Sequence, residues 1–158
     1  MVILEATYSV LMWGFLKVGS ISIKRTSKDF ILEGNLNLLF KKVYIYYYQN
    51  QTTSIYYEKS GKRKRNRKWV FYLGKILYSQ NYTSNLVLDG NIGKIEKKSE
   101  SNYICYRFNK GDVNQACVEF MKIDKFVIPK KIHLKGKIPS MYIKLKDYKV
   151  IGAGRNAP

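Results

Sequence analysis

The chain has 158 residues and a formal net charge of +18, from 29 Lys and Arg against 11 Asp and Glu. Its length fits one domain, and a hydrophobic content of 46% excludes a disordered chain. No apolar run approaches the roughly 20 residues of a membrane-spanning helix. The longest run lies at residues 10–16 and is interrupted by Gly14.

The predicted elements are short strands, because apolar and polar residues alternate along most of the chain. In residues 30–38, for example, Phe30 and Leu32 fall on one face while Glu33 and Asn35 fall on the other. Such alternation is typical of strands with one buried face. The predicted strands, some of which are expected to merge, span residues 3–13, 15–25, 29–39, 42–49, 52–59, 67–73, 75–79, 84–88, 92–97, 102–108, 114–121, 125–135 and 139–150.

Helical spacing is weak throughout the sequence, and the best short helix candidate is "NLNLLFKK" at residues 35–42. Many short strands separated by turn signals predict an all-β protein, built as a highly curved antiparallel sheet or an incomplete β-barrel with little helix. We expect a single β domain over residues 1–151 and a flexible C-terminal tail at residues 152–158.

Cations are concentrated between two predicted strands, within "SGKRKRNRKWVFYLG" at residues 60–74. The candidate anion-binding residues are Lys62, Arg63, Lys64, Arg65, Arg67 and Lys68. Such a run suits phosphates, either of nucleic acid or of lipid head groups at an anionic membrane surface, and Tyr44, Tyr46 and Tyr48 could stack on bases. The other interpretation is a solvated hairpin loop that discourages aggregation of the sheet.

The overall basic charge also has two interpretations. It favours anionic partners, but Lys, Ile, Asn and Tyr are abundant together, as AT-rich codons would produce without any selection for binding.

The two cysteines lie in a predicted hairpin centred on Gly111. In that register Cys105 faces Cys117, Ile104 faces Val118 and both cysteines fall on the polar face. Opposed residues of an antiparallel pair have Cβ atoms about 4.5–5.5 Å apart. A disulfide needs them somewhat closer, which is within reach at a non-hydrogen-bonded pair, and it would indicate an oxidising compartment. Two reduced thiols, or a register shifted by a bulge, remain the alternative.

Catalytic signatures are scarce. Glycine-rich phosphate loops and the G-x-S-x-G motif are absent, and the carboxylates are dispersed. His133 is the only histidine and alternates with Ile132 and Leu134, so it is expected to point outward from a strand. Two cysteines do not complete a zinc site. We therefore predict no enzymatic activity, no metal and no cofactor, although a cofactor-free enzyme stays an alternative.

The first ten residues, "MVILEATYSV", lack the basic region and cleavage site of a signal peptide. Two interpretations follow, a cytoplasmic protein or a mature chain whose leader has been removed.

Two stretches resemble a bacterial envelope family of unknown function (domain of unknown function 3108). In residues 8–24 the matching residues are Tyr8, Trp13, Gly14, Val18 and Gly19, and in residues 125–150 they are Pro129 and Lys130. The middle of this chain is shorter than in the family, and no counterpart of its central helical segment is predicted. The resemblance implies export and an open antiparallel barrel similar to lipoprotein-carrier folds, in which a curved sheet wraps an apolar cavity that accepts acyl chains.

Large apolar groups on both sides of some strands, as in "VYIYYY", agree with a curved sheet whose concave face is occupied. A two-layered sandwich is the alternative. The predicted function is non-catalytic binding of a lipid or other apolar ligand in the periplasm or cell envelope. The candidate cavity residues are Trp13, Phe15, Phe30, Leu32, Tyr47, Trp69, Phe71 and Tyr106. The alternative function is a cytoplasmic nucleic-acid-binding β-barrel that uses the basic run.

Overall fold

A computed structural model describes residues 2–38, 41–60, 68–79, 95–96, 103–108 and 113–152. These residues form one antiparallel sheet and one helix. The strands are β1 (Val2–Met12), β2 (Leu16–Arg25), β3 (Phe30–Leu38), β4 (Lys41–Gln49), β5 (Ser54–Ser60), β6 (Ile95–Glu96), β7 (Tyr103–Arg107), β8 (Val113–Ile123), β9 (Phe126–Gly136) and β10 (Met141–Gly152). The helix is α1 (Lys68–Ser79).

The strand order is β5-β4-β3-β2-β1-β10-β9-β8-β7-β6, so the sheet is open and its two edges are β5 and β6. Neighbours in the order are also neighbours in sequence, except at the centre, where β1 pairs with β10. The prediction of an all-β protein with a curved antiparallel sheet that does not close into a barrel is confirmed.

Alternation of residue type determines which face of the sheet is buried. Along β1, Leu4, Ala6, Tyr8 and Val10 are buried, while the residues between them are at least partly exposed. The face that carries these four side chains is called the inner face below, and the opposite face the outer face. The buried side chains of the inner face and those of α1 form one hydrophobic core.

The helix replaces two predicted strands, since the expectation of strands at residues 67–73 and 75–79 is wrong. Trp69, Val70, Leu73, Ile76 and Leu77 are all buried, with the spacing of a helix. Lys68, Lys75 and Ser79 have helical spacing, but the Trp, Val, Phe and Tyr residues of the segment favour strands intrinsically. Burial against the sheet overrides that preference.

The short helix predicted at residues 35–42 is also wrong. Residues 35–38 belong to β3 and residues 41–42 to β4, in strands that pair with each other. Residues 39–40, like the strand predicted at 84–88, lie outside the described residues.

At the C-terminal end, β10 extends through Gly152, which pairs with Val2. The strand therefore reaches the first residue of the predicted tail, and residues 153–158 lie outside the described residues.

Candidate apolar ligand site

The helix lies against the inner face of the sheet and contacts β4 and β8. The helix packs tightly on the sheet at Gly74, where an added Cβ atom would be 2.5 Å from the ring of Tyr47. Tyr47 also packs edge-on against Phe71, with ring centroids 5.9 Å apart, and Tyr72 packs against Phe108 at 5.5 Å. These contacts place α1 across the inner face, where the sequence predicted an occupied cavity.

The tight contact at Gly74 gives the first testable prediction. In an exposed helix, Gly→Ala stabilises by about 1 kcal/mol. Here we expect Gly74→Ala to lower the free energy of unfolding by about 1 kcal/mol, because overpacking a core costs roughly 1–3 kcal/mol. Urea denaturation of Gly74→Ala and of the double variant Gly74→Ala/Tyr47→Leu measures this. Adding Gly74→Ala to Tyr47→Leu should be neutral or stabilising, and a penalty that persists without the ring would contradict the assignment.

The surface of α1 is apolar around most of its circumference. The buried side chains are Trp69, Val70, Tyr72, Leu73, Ile76, Leu77 and Tyr78. Only Phe71 and Lys75, among the side chains described in the helix, are half-buried, and the Lys75 ammonium lies 4.8 Å from the centroid of the Phe71 ring. A surface helix of a globular protein normally has a broad polar side, so α1 has the composition of a core element.

Arg25 holds the C-terminal end of α1. Its side chain is 1% exposed, and its guanidinium donates hydrogen bonds to the carbonyl oxygens of Leu77 (2.8 Å) and Tyr78 (2.6 Å). The last carbonyls of a helix have no partner within the helix and carry partial negative charge, so a cation stabilises them. The guanidinium also lies 5.3 Å from the centroid of the Phe30 ring.

Arg25 was not predicted as a functional residue, although it is the last residue of the strand predicted at residues 15–25. The structure continues β2 through Arg25, which pairs with Leu4 on the inner face. A signal was present, since Arg25 follows Ile21 and Ile23 in the same alternation and therefore falls on the apolar side of the strand.

The candidate cavity residues separate into two groups. Five of them are buried in the core and one is half-buried: Phe30, Leu32, Tyr47, Trp69 and Tyr106, with Phe71 at the margin. Trp13 and Phe15 lie apart from these, in the turn between β1 and β2, where their side chains are 56% and 78% exposed. The structure therefore brings six of the eight predicted residues into or against the core around α1.

The polar groups of the inner face are neutral apart from Arg25, which is the one buried charged side chain among the described residues. The hydroxyl of Tyr8 donates a hydrogen bond to the carbonyl of Pro129 at 2.8 Å, and Tyr47 donates to the side chain of Gln49. Burial raises the pKa of both tyrosines well above the ordinary value. Both phenols consequently remain protonated, and the interior offers an apolar ligand a lining that is uncharged apart from Arg25.

An open cleft of about 550 Å³ lies at one end of the sheet, lined by Val2, Lys122, Asp124 and Lys125. It lies where β1 begins and where β8 turns into β9. Arg25 pairs with Leu4 near the start of β1, so the C-terminal end of α1 lies toward the same end of the sheet. The volume of the cleft is within the range of small-molecule sites.

On the outer face, the structure joins Cys105 and Cys117 in a disulfide. The strands β7 and β8 pair in the register expected from the sequence, with Ile104 opposite Val118 and Tyr106 opposite Ala116. The disulfide therefore fixes β7 to β8 near one edge of the sheet.

His133 lies opposite Cys117 on the outer face. Its Nε2 atom is 2.6 Å from the hydroxyl of Ser140, and its ring stacks on Tyr142 at 4.1 Å. Partial burial lowers the pKa of His133, and Lys135 and Lys131 lower it further. A catalytic serine–histidine pair needs surroundings that stabilise the imidazolium. Around His133, partial burial and the two lysines disfavour the imidazolium.

The tyrosines proposed for base stacking lie on the outer face of β4, because they alternate with the buried Val43, Ile45 and Tyr47. Tyr44 donates a hydrogen bond to Glu33 (3.2 Å), and Tyr48 donates one to Asp29 (2.7 Å). Carboxylates beside these rings repel phosphates. Of the predicted anion-binding residues, Lys62, Arg63, Lys64, Arg65 and Arg67 lie outside the described residues, and Lys68 begins α1.

The described residues contain no cluster of three or more His, Cys, Asp or Glu side chains that could hold a metal ion. The one helix described there is too short to cross a membrane.

Comparisons with known proteins give no identification. No protein-family model matches this chain, and the search of curated proteins finds no significant match.

Proposed function

We propose that this protein binds a lipid or another apolar ligand, without catalysis, between the inner face of the sheet and α1. The observation that carries the proposal is a helix that is apolar around most of its circumference and lies across the inner face of an open, curved sheet. A movement of α1 would expose two apolar surfaces together, and an acyl chain could replace the contacts that each loses.

The way α1 is held agrees with this proposal. The polar contacts of its C-terminal end include two hydrogen bonds from the single side chain of Arg25, and a glycine, Gly74, packs against the ring of Tyr47 on the sheet. A surface held mainly by apolar packing can exchange one apolar partner for another with little change in free energy. The cleft at Val2 and Lys122 lies at the same end of the sheet as Arg25. It offers the ligand a route to the space between α1 and the inner face.

The proposed location is the periplasm or cell envelope. The Cys105–Cys117 disulfide supports it, because structural disulfides are typical of oxidising compartments. The resemblance of residues 8–24 and 125–150 to an envelope family points to the same location.

The test uses the two tryptophans, which lie in different surroundings. Trp69 is buried in α1, whereas Trp13 is exposed in a turn. In the variant Trp13→Phe, all tryptophan emission comes from Trp69. We expect fatty acids brominated along the chain to quench this emission saturably, because bromine quenches only at short range and the chain would lie beside α1.

Matched fatty acids without bromine control for conformational effects and should compete for binding without quenching. Quenching that is absent in Trp13→Phe but present in the parent protein would place the acyl chain at Trp13 and contradict the proposal. The alternative function, nucleic-acid binding, would instead give oligonucleotide affinity that falls steeply with salt and leave Trp69 unquenched by fatty acid.

A further inference from the structure

The turn between β1 and β2 carries a group of exposed apolar side chains. Trp13, Phe15 and Leu16 are 56%, 78% and 47% exposed, and the Trp13 and Phe15 rings stack with centroids 6.4 Å apart. Residues 13–16 are called the apolar turn below. Isolated exposed apolar residues are ordinary, but large adjacent ones mark interaction sites.

The backbone of the apolar turn is in the left-handed region at position 13, where Asn, Asp or Gly would be less strained than Trp. Trp13 has φ 55° and Gly14 has φ 85°, and the Phe15 amide donates to the Met12 carbonyl at 3.3 Å. Positive φ at both central positions is typical of type I′ hairpin turns, which prefer Asn-Gly or Asp-Gly. A bulky residue in the left-handed region costs stability. Folding therefore does not explain a tryptophan at this position.

The apolar turn is also fixed to its neighbour. The Trp13 amide donates a hydrogen bond of 2.7 Å to the carbonyl of Ser140, in the connection between β9 and β10. Gly14 packs near the ring of Tyr142, since an added Cβ atom would be 3.6 Å from it. The exposed rings are thus presented on two joined hairpin ends, which limits the entropy lost when they bind.

The charged side chains of residues 11–17 and 131–146, the two segments joined at the apolar turn, have one sign. Lys17 follows it directly, and Lys135 and Lys137 are exposed beside the connection to which it is bonded. Neither residues 11–17 nor residues 131–146 contain Asp or Glu. Self-association through this surface would bring two chains of net charge +18 together, which repulsion opposes.

We propose that the apolar turn docks this protein onto a membrane surface that contains anionic phospholipids. Trp and Phe side chains would enter the head-group region, where aromatic rings are favoured, and the lysines would contact phosphate groups. This proposal is independent of the ligand proposed for the inner face, because it concerns the opposite end of β1 from the cleft at Val2.

The experiment measures binding to vesicles of phosphatidylcholine, with and without phosphatidylglycerol, by co-sedimentation and by tryptophan emission. The full chain should bind the anionic vesicles with a blue shift. Phe15→Ser should weaken binding roughly tenfold, the lower end of what burial of a phenyl side chain contributes. The control Ile55→Ser removes a side chain on β5 with 49% exposure and should leave binding unchanged.

Trp13→Asn separates binding from folding. It should raise the melting temperature, because Asn tolerates positive φ, while it abolishes the blue shift and weakens vesicle binding. Retained binding in Trp13→Asn or Phe15→Ser would overturn the proposal, as would equal losses in Ile55→Ser. Vesicle binding that shows no blue shift and is lost entirely when salt is added would also overturn the proposal. So would a change in Trp13 emission that oligonucleotides cause and vesicles do not.

Discussion

Removal of the Cys105–Cys117 disulfide is expected to lower the free energy of unfolding by about 3 kcal/mol, the typical effect of closing a short loop in the unfolded chain. The two cysteines are 12 residues apart in sequence, and both side chains are buried. In the unfolded state the disulfide restricts the hairpin, and in the folded state it fixes β7 to β8 close to the edge of the sheet. The double variant Cys105→Ala/Cys117→Ala removes the bond without leaving a buried thiol pair.

Urea denaturation of the oxidised protein, the reduced protein and the double variant measures this effect. The reduced protein and the double variant should unfold at similar, lower urea concentrations, and reductant should not change the double variant further. Equal midpoints for all three would contradict the prediction.

Arg25→Met is expected to lower the free energy of unfolding by about 3 kcal/mol, because a hydrogen bond from a charged group contributes roughly 1.5–3 kcal/mol and Arg25 makes two to α1. The carbonyls of Leu77 and Tyr78 would lose these donors in a buried environment. Methionine keeps an unbranched apolar side chain beside Phe30, so the change tests the guanidinium more than the packing.

Two measurements separate the local from the global effect of Arg25→Met. Hydrogen exchange should accelerate most in α1, and fatty-acid quenching of Trp69 in the Trp13→Phe background should become faster. Arg25→Lys provides the matched control, since it keeps the charge but not the two-pronged geometry, and should have an intermediate effect. A variant Arg25→Met with unchanged stability and exchange would show that other contacts hold α1.

Strands were predictable from the sequence because each has one buried face. Leu4, Ala6, Tyr8 and Val10 alternate with partly exposed residues, so the period of two is visible without any tertiary information. The register of Cys105 and Cys117 followed in the same way from a short hairpin. Local patterns determine these features, and local patterns can be read from one sequence.

The helix was not predictable by the same method. A period of 3.6 is present, because Lys68, Lys75 and Ser79 are spaced as on one side of a helix, but it rests on few polar residues and most of the others favour strands. What makes it helical is contact with the inner face of strands far away in sequence. The role of Arg25 depends on that helix, because its hydrogen-bond partners lie 52 and 53 residues away.

The candidate site was predictable only in part for a related reason. Phe30, Leu32 and Tyr47 were identified as apolar members of strands, which is a local property. Trp13 and Phe15 have equally apolar side chains, but they are exposed because they lie in the turn between β1 and β2. Hydrophobicity alone does not distinguish a core residue from one at the tip of a hairpin.

The central position of the β1–β10 pair has a mechanical consequence. These strands are antiparallel, and Val2 lies directly opposite Gly152 at one end of their ladder. Force applied to these two residues would act across the ladder and break its hydrogen bonds one pair at a time, as in a zipper, and would not load them together in shear. The two meanders, β1 to β5 and β6 to β10, would then remain joined through α1, which contacts β4 and β8. The β1–β10 ladder should therefore open at low force when the protein is pulled at these points, whatever the resistance of the protein to denaturant.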